Sequence, residues 1–221
     1  MKLEGLTVNF LGDSITEGCG TSCPEAMFHA VLKRNTGLKE VRNYGIGGTR
    51  IALQTGNRQL PKDDFRDVNS YCERFDKMED ADLVVVFGGT NDFGHGDAPI
   101  GQMSDRTPET FYGACHYLFT GLIKKYIGKP IVIITPTPRE WDDMDFAIND
   151  TVIHRSLKEY VEIIREVAEY YSLPVLDLFA YSGMQPKIAE SKAMFMPDGL
   201  HPNDKGNEVI AHKLQKFLEN L

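Results

Sequence analysis

The sequence has no apolar run that approaches the roughly 18 residues of a membrane-spanning helix. Its first twelve residues carry one lysine and no apolar core of signal-peptide length. From these two absences we expect a chain without a membrane span and with a cytoplasmic location.

Positive charge is also in the minority, with 24 Lys and Arg residues against 32 Asp and Glu residues and a formal net charge of -8. Sequence-independent binding to nucleic acid depends on clustered Lys and Arg that neutralise phosphates. Anionic membrane surfaces likewise attract basic segments. We therefore expect neither nucleic acid nor a membrane surface as a partner.

Cysteine is scarce and scattered: the chain has Cys19, Cys23, Cys72 and Cys115. This number and spacing do not fit a disulfide framework. Cys19 and Cys23 lie near Ser14, but a metal site there would need a second close pair or a nearby ligand histidine. We predict free thiols, with Cys72 and Cys115 on the apolar faces of helices.

What the sequence does contain is a regular alternation of short apolar runs and amphipathic segments. Five runs are typical of buried strands: residues 6–11, 40–44, 82–87, 130–135 and 174–178. Their alternation with helices predicts an α/β fold, a three-layer α/β/α sandwich with a five-stranded parallel sheet. We predict the flavodoxin-like strand order 2-1-3-4-5 and a single domain over residues 1–221.

The connections between the strands also carry specific predictions. Thr107 is predicted to cap a helix, with Pro108 at its first position. Residues 136–150 are predicted to form a loop, and a helix with apolar positions from Ile153 to Tyr171 follows. Helical spacing predicts one more helix from four apolar residues: Phe65, Val68, Cys72 and Phe75.

The residues with chemical potential follow the ends of the predicted strands. Ser14 follows the first strand, Gly48 the second and Asn91 the third, and α/β folds bind their ligands at that edge of the sheet. An early serine with a late, closely spaced Asp198 and His201 forms the parts of a hydrolytic triad. Singly, each residue also fits a role in a turn or a helix cap. Jointly, they favour one site.

Four segments resemble the conserved blocks of the GDSL/SGNH hydrolases. They are Gly-Asp-Ser at 12–14, Asn-Tyr-Gly-Ile-Gly-Gly at 43–48, Gly-Gly-Thr-Asn-Asp at 88–92 and Asp-Gly-Leu-His-Pro at 198–202. They occur in the order of that family and span nearly the whole chain. Ile15 replaces the leucine of the family's name, which is a mild apolar substitution. The resemblance implies a fold like the three-layer α/β/α sandwich predicted above.

The resemblance also implies roles for a catalytic triad. Ser14 would be the nucleophile and His201 the base that later protonates the leaving group. Asp198 would hold the imidazole in the required tautomer. No metal and no organic cofactor is expected.

An oxyanion hole is implied in the same way. Its donors would be the backbone N–H groups of Ser14 and Gly48 and the side-chain amide of Asn91. A glycine at position 48 would leave room for the substrate oxygen. Gly47 remains an alternative to Gly48, because the choice rests on an alignment from Asn43.

The substrate is predicted from two loops that follow strand ends. Around Trp141 and His95 they carry six aspartates: Asp97, Asp105, Asp142, Asp143, Asp145 and Asp150. An acidic rim repels phosphate groups, and an aromatic face with carboxylates suits the hydroxyls of a neutral sugar. We expect a short-acyl, acetyl-type esterase that acts on a carbohydrate or a small neutral ester, with His95 and Trp141 at the substrate mouth.

Two alternatives stay open at this point. A lysophospholipase or thioesterase with a longer-acyl preference is favoured by four apolar residues before Asp198: Met184, Met194, Phe195 and Met196. A non-catalytic flavodoxin-like binding module would cradle a phosphate at residues 45–49. The sequence has neither of the usual glycine-rich nucleotide-binding loops, and this module would leave Asp198 and His201 without a role. No oligomeric state is predicted.

Overall fold

The computed structural model describes residues 1–53, 70–95, 98–148 and 151–221. Its strands in chain order are β1 (Thr7–Gly12), β2 (Glu40–Gly45), β3 (Leu83–Phe87), β4 (Ile131–Ile134), β5 (Asp143–Ile148), β6 (Thr151–Ser156) and β7 (Val175–Leu176). The α-helices of these residues are α1 (Ser14–Glu17), α2 (Phe28–Thr36), α3 (Tyr71–Arg74), α4 (Thr90–His95), α5 (Phe111–Lys125), α6 (Leu157–Tyr170), α7 (Leu178–Tyr181), α8 (Ala189–Phe195) and α9 (Asp204–Glu219).

The central sheet has five parallel strands in the order β2-β1-β3-β4-β7. The predicted fold class and strand order are confirmed, with β7 as the fifth strand in space. At the carboxyl edge Gly12 is in register with Gly45 of β2 and with Phe87 of β3. The loops after β1, β2 and β3 therefore leave the sheet side by side.

Helices cover both faces of this sheet, which explains why the strands are apolar without alternation. Val84 and Val86 of β3 pack in one hydrophobic cluster with residues of α5 and α6. Val85 and Phe87 pack in a second cluster, on the opposite face, with residues of α2 and α9. Full burial of each such side chain contributes about 1.5–3 kcal/mol. The sheet is therefore a rigid base for the loops at its edge.

One connection differs from its prediction. The strands β5 and β6 pair antiparallel, with Asp143 opposite Ser156, so the predicted loop over 136–150 is wrong at 143–148. Ile153 lies in β6 rather than in a helix, and α6 begins at Leu157 with Ser156 as its N-cap. The β-branched residues of β6 favour an extended chain, and pairing with β5 satisfies their backbone groups. Spacing along one segment could not reveal that partner.

One further helix begins later than predicted, and a second prediction is tested only in part. Thr110, not Thr107, caps α5, since its side chain accepts a hydrogen bond from the Gly113 N–H. Cys72 lies in α3 and Phe75 follows it in a 3₁₀ turn. Phe65 and Val68 lie outside the described residues.

The cysteines of the chain are free thiols, and Cys72 and Cys115 are buried on helices as predicted. Within the described ranges, no helix combines the length and the apolar character that crossing a membrane requires. The cytoplasmic location stays a prediction.

Candidate active site

Ser14 lies at the carboxyl edge of the sheet as the first residue of the one-turn helix α1. Asp13 caps this helix, because its carboxylate accepts a hydrogen bond of 3.0 Å from the Ile15 N–H. A Cβ atom on Gly12 would lie 1.9 Å from the Thr16 hydroxyl, so only glycine allows the strand to turn so sharply into α1. The serine is thereby fixed directly beyond β1.

His201 and Asp198 complete a chain of hydrogen bonds from Ser14. The Ser14 Oγ and His201 Nε2 atoms are 3.0 Å apart, and His201 Nδ1 lies 2.6 Å from Asp198 Oδ2. Asp198 Oδ1 also accepts the backbone N–H groups of Leu200 and His201. Burial raises the pKa of Asp198, but these hydrogen bonds from His201 and Leu200 outweigh it and hold the pKa below its usual value. Asp198 is thus favoured as a carboxylate.

The loop that carries His201 is anchored to the helical layer by Asn207 of α9. The Asn207 amide donates to the Pro202 carbonyl at 2.8 Å and accepts from the Phe28 N–H at 2.9 Å. Asn207 is fully buried. This side chain therefore ties the start of α2 to the residue that follows His201.

The glycine block after β2 offers one free backbone donor. The Gly47 N–H donates to Glu17 Oε2 at 2.7 Å, whereas the Gly48 N–H has no partner among the described residues. Gly48 has a φ of +74°, and a Cβ atom there would meet nothing within 4 Å. The glycine is needed for its left-handed backbone, and the expectation that it makes room for a substrate oxygen has no support from its neighbours.

Asn91 stands beside this block in the first turn of α4. Its side-chain amide donates to the Thr49 carbonyl at 3.1 Å. An amide group carries two N–H bonds, so one remains for another acceptor. The Ser14 N–H is likewise without a partner among the described residues. Three donors, on Ser14, Gly48 and Asn91, thus belong to three neighbouring loops.

Two buried carboxyl groups brace these loops. Asp92 accepts the N–H groups of Ile51 and Ala52 at 3.0 and 2.9 Å, directly after the glycine block. Burial raises the pKa of Asp92 to about 7 and that of Asp13 to about 6, although hydrogen bonds and nearby cations oppose the shift. Both residues act through the loops they hold.

Sequence reasoning missed two residues of the site. Glu17 holds the Gly47 N–H, and its position one turn after Ser14 was the available signal. Arg74 of α3 donates to the Gly12 carbonyl and to Thr49 Oγ1. No local signal pointed to this second residue, because its acceptors lie 25 and 62 positions away in the chain.

The rim of the site is formed in part by the loop after β4. Arg139 donates to the Thr90 carbonyl, next to Asn91, and the Glu140 N–H donates to the Gly199 carbonyl, next to Asp198. Trp141 follows these two residues and is 56% exposed.

Trp141 is flanked by α8, while His95 belongs to α4. Lys192 of α8 lies 5.9 Å from the centre of the Trp141 ring and donates to Glu140. His95 lies one turn after Asn91 on α4 and is half-buried. His95 therefore shares a helix with Asn91, and Trp141 lies on a loop that contacts the segments of Asn91 and Asp198.

Some aspartates of the predicted acidic rim have partners within the protein, while Asp143 and Asp145 stay more than half exposed. Asp142 pairs with Lys187, Asp145 lies 2.9 Å from His154 Nδ1, and Asp105 accepts from the Thr110 hydroxyl. Asp97 and Asp150 lie outside the described residues. Asp142 and Asp105 are therefore less available to repel phosphate than the sequence suggested, which weakens this part of the substrate prediction.

The four apolar residues that favoured a longer acyl chain are partly buried in the core and partly exposed. Met184 and Met196 are 2% and 0% exposed and belong to the hydrophobic cluster under α9. Met194 is exposed, and Phe195 packs against the cluster. Two of the four side chains are thus packed in the core and do not line an open acyl pocket.

Nothing in the described part of the chain brings three or more His, Cys, Asp or Glu side chains together as metal ligands. Cys19 and Cys23 are both exposed. Burial first, and then the carboxylates of Glu17, Asp13 and Asp198, raise the pKa of the Cys19 thiol, which disfavours the thiolate that a metal requires.

The fold and site together define a class: α/β/α sandwiches with linked serine, histidine and aspartate side chains at the carboxyl edge of the sheet. The chain belongs to the GDSL-like Lipase/Acylhydrolase family, whose family model matches residues 10–209. The matched range includes each block of the predicted resemblance, which is confirmed.

Individual relatives agree with this membership. An acetylxylan esterase from Xylanibacter ruminicola is 27% identical over 225 residues, which cover 95% of this chain and 42% of that protein. The chain thus spans less than half the length of this curated relative. The crystal structure of a Lactobacillus plantarum protein is 30% identical, with a TM-score of 0.79 over 100% of this chain and 98% of that one.

A more distant structure shares the fold. A two-domain esterase active on acetylated mannans is 20% identical, with a TM-score of 0.62, and the match covers 98% of this chain and 49% of that one. At this identity the likeness concerns the fold alone.

The substitution Asp13→Asn tests the buried carboxyl beside Ser14. Below about pH 4 the Asp13 carboxyl is protonated in both the folded and the unfolded chain. Between about pH 4 and 6 the unfolded chain loses this proton while the folded chain keeps it, because burial raises the pKa to about 6 in the folded chain. The wild-type free energy of unfolding should therefore fall relative to the variant as pH rises through this window, by on the order of 1–3 kcal/mol. Asparagine keeps the oxygen that caps α1. Urea unfolding from pH 4 to 8 measures the difference.

Asp204→Asn is the matched control on α9. Hydrogen bonds from Ser22 lower the pKa of Asp204, so its effect on stability should not change between about pH 4 and 7. A constant difference between wild type and Asp13→Asn over this range contradicts the raised pKa.

Proposed function

We propose that this chain is a serine esterase that hydrolyses a carboxylic ester through an acyl-enzyme intermediate. The observation that carries the proposal is the continuous hydrogen-bond chain of 3.0 Å from Ser14 Oγ to His201 Nε2 and 2.6 Å from His201 Nδ1 to Asp198. A nucleophile in contact with a base, and a base oriented by a carboxylate, is the arrangement that activates serine. The family match over residues 10–209 supports one domain for this activity.

The reaction begins when Ser14 Oγ attacks the ester carbonyl carbon and His201 Nε2 takes the hydroxyl proton. His201 then gives this proton to the leaving alcohol as the tetrahedral intermediate collapses to the acyl-enzyme. Water repeats the sequence, with His201 as base, and releases the acid. Asp198 stabilises the imidazolium in both halves, and its lowered pKa keeps it ionised for that role.

The negative oxygen of the tetrahedral intermediate needs donors that are fixed in advance. The N–H groups of Ser14 and Gly48 and the second N–H of the Asn91 amide are free for it. Gly47 is the weaker choice, because Glu17 already accepts its N–H. We therefore propose Gly48 as the donor from the glycine block.

The proposed substrate is an acetyl or other short-acyl ester of a carbohydrate. A relative with 27% identity over 95% of this chain is an acetylxylan esterase, which supports this class. The exposed ring of Trp141 offers an apolar surface for a sugar beside the loop of Asp198. The burial of Met184 and Met196 weakens the longer-acyl alternative.

The triad is tested by the variants Ser14→Ala, His201→Ala and the double variant. Each single change should remove nearly all turnover of p-nitrophenyl acetate, and the double variant should be scarcely slower, because the residues act as one unit. A fluorophosphonate should label Ser14 in the wild type, as located by mass spectrometry. Losses that multiply in the double variant would show that Ser14 and His201 do not share a mechanism.

The acyl length is tested with p-nitrophenyl esters from acetate to decanoate. The value of kcat/KM should be highest for acetate or butyrate and fall for octanoate. The reason is that Met184 and Met196, which could have lined a longer acyl pocket, are packed in the hydrophobic core instead. A maximum at decanoate would favour the lysophospholipase-like alternative.

The sugar surface is tested by Trp141→Ala with an acetylated xylo-oligosaccharide. Loss of an aromatic contact worth about 1 kcal/mol should raise KM about five-fold while kcat changes little. Tyr117→Ala, which removes an exposed ring from α5, is the matched control and should leave KM within two-fold. An unchanged KM in Trp141→Ala would remove Trp141 from the substrate site.

A further inference from the structure

We propose that Arg74 is a positioning residue that holds the three oxyanion donors in register. The inference rests on the proposed esterase function and adds to it a residue whose contacts given below include no triad side chain. It is carried by the contacts of one buried guanidinium group with the chain segments that bear Ser14 and Gly48, the second of which also accepts the Asn91 amide.

The guanidinium of Arg74 bridges the ends of two strands. It donates to the Gly12 carbonyl at 2.6 Å, at the end of β1, and to the Tyr44 carbonyl, one residue before the end of β2. Its third described contact is the hydroxyl of Thr49 at 3.1 Å. Arg74 is only 7% exposed, so these bonds are made largely out of contact with water.

Two of these contacts, Gly12 and Thr49, lie close to an oxyanion donor. Gly12 is two residues before Ser14, and Thr49 directly follows Gly48. The Thr49 carbonyl in turn accepts the Asn91 amide at 3.1 Å. The Thr49 hydroxyl, which accepts from Arg74, donates to the Ile46 carbonyl at 2.7 Å and so closes the glycine turn. Arg74 is therefore linked to all three donors by short paths. Its contact at Gly12 is separated from Ser14 by one residue, and its contact at Thr49 is bonded to Gly48 in the chain and to Asn91 by a hydrogen bond.

Tyr71 extends the same arrangement to β3. The Arg74 guanidinium lies 4.8 Å from the centre of the Tyr71 ring, and the Tyr71 hydroxyl donates to the Phe87 carbonyl at 2.9 Å. Phe87 ends β3, four residues before Asn91. The helix α3 thus touches the carboxyl ends of three adjacent strands.

The chemistry of arginine fits this task better than that of lysine. A guanidinium is planar and presents several N–H bonds in fixed directions, whereas an ammonium is a compact charge on a flexible stem. The fixed directions of these N–H bonds hold carbonyl and hydroxyl oxygens of separate chain segments at defined distances from one another. Preorganised donors matter mainly in the transition state, where the negative charge develops. A lost fork should therefore lower kcat more than it raises KM.

The first arm of the experiment compares Arg74→Lys with Arg42→Lys on p-nitrophenyl acetate. Arg74→Lys keeps the charge and loses the fork, so kcat should fall about 10- to 100-fold while KM stays within about three-fold. Arg42 is the matched control, since it donates to Glu40 and to the Asp80 carbonyl away from the site. Its variant should keep kcat within two-fold. A kcat of Arg74→Lys equal to wild type would overturn the proposal.

The second arm combines Arg74→Lys with Asn91→Ala. Asn91→Ala alone should lower kcat by about 10²–10³. If Arg74 acts through the oxyanion donors, the double variant should lose at least five-fold less than the product of the two single losses, because part of what Arg74 holds is already gone. General destabilisation would instead multiply the losses, and that result would overturn the proposal.

Thr49 keeps the proposal testable if Arg74→Lys does not fold, as judged by circular dichroism. Thr49→Val removes the hydroxyl that Arg74 contacts and should lower kcat about ten-fold, whereas Thr49→Ser should recover most of that loss. Equal kcat values for wild type and Thr49→Val would overturn the role of Arg74. Turnover that survives Ser14→Ala would instead overturn the esterase proposal, so the two failures are distinguishable.

Discussion

The parallel register of β1 with its two neighbours is the constraint on which the site depends. Gly12 aligns with Gly45 on one side and with Phe87 on the other, so three loops leave the sheet at one level. Each loop carries one proposed oxyanion donor. A slip of one residue in either pairing would shift a loop along the strand axis by about 3.3 Å, more than a hydrogen bond tolerates. The buried valines of β3 hold that register.

The edge of the sheet also gathers polar groups that are costly to bury. Asp13 and Asp92 are fully buried, and their raised pKa values report the desolvation of two carboxyl groups close to the proposed nucleophile. Each is retained with backbone N–H partners that shape a loop. Arg74, itself largely buried, ties these loops to one another. Burial of these polar groups costs free energy, and the hydrogen bonds that they form there hold the proposed oxyanion donors in a rigid arrangement.

The surroundings of the site carry the evidence about substrate. Near Trp141, Asp142 is paired with Lys187, whereas Asp143 and Asp145 remain exposed beside His154, so the acidic charge of the rim is smaller than the sequence suggested. What the rim presents is the exposed Trp141 ring, on a loop that contacts the segments of Asn91 and Asp198. An aromatic surface beside the proposed triad suits a sugar ester better than a long acyl chain.

The sequence by itself determined the fold class and the positions of the four blocks of the site, because both depend on local pattern: apolar runs, glycine-rich turns and residue spacing. The strand order was an expectation from the topology that such an alternation usually adopts, and the structure confirms it. Tertiary structure alone decided the β5–β6 hairpin, since a strand partner is not encoded within one segment. It also decided that Gly47 is engaged by Glu17 while Gly48 is free. The role inferred for Arg74 likewise depends on packing, because its acceptors lie 25 to 62 positions away in the chain. Only folding brings such distant carbonyl groups within reach of one side chain.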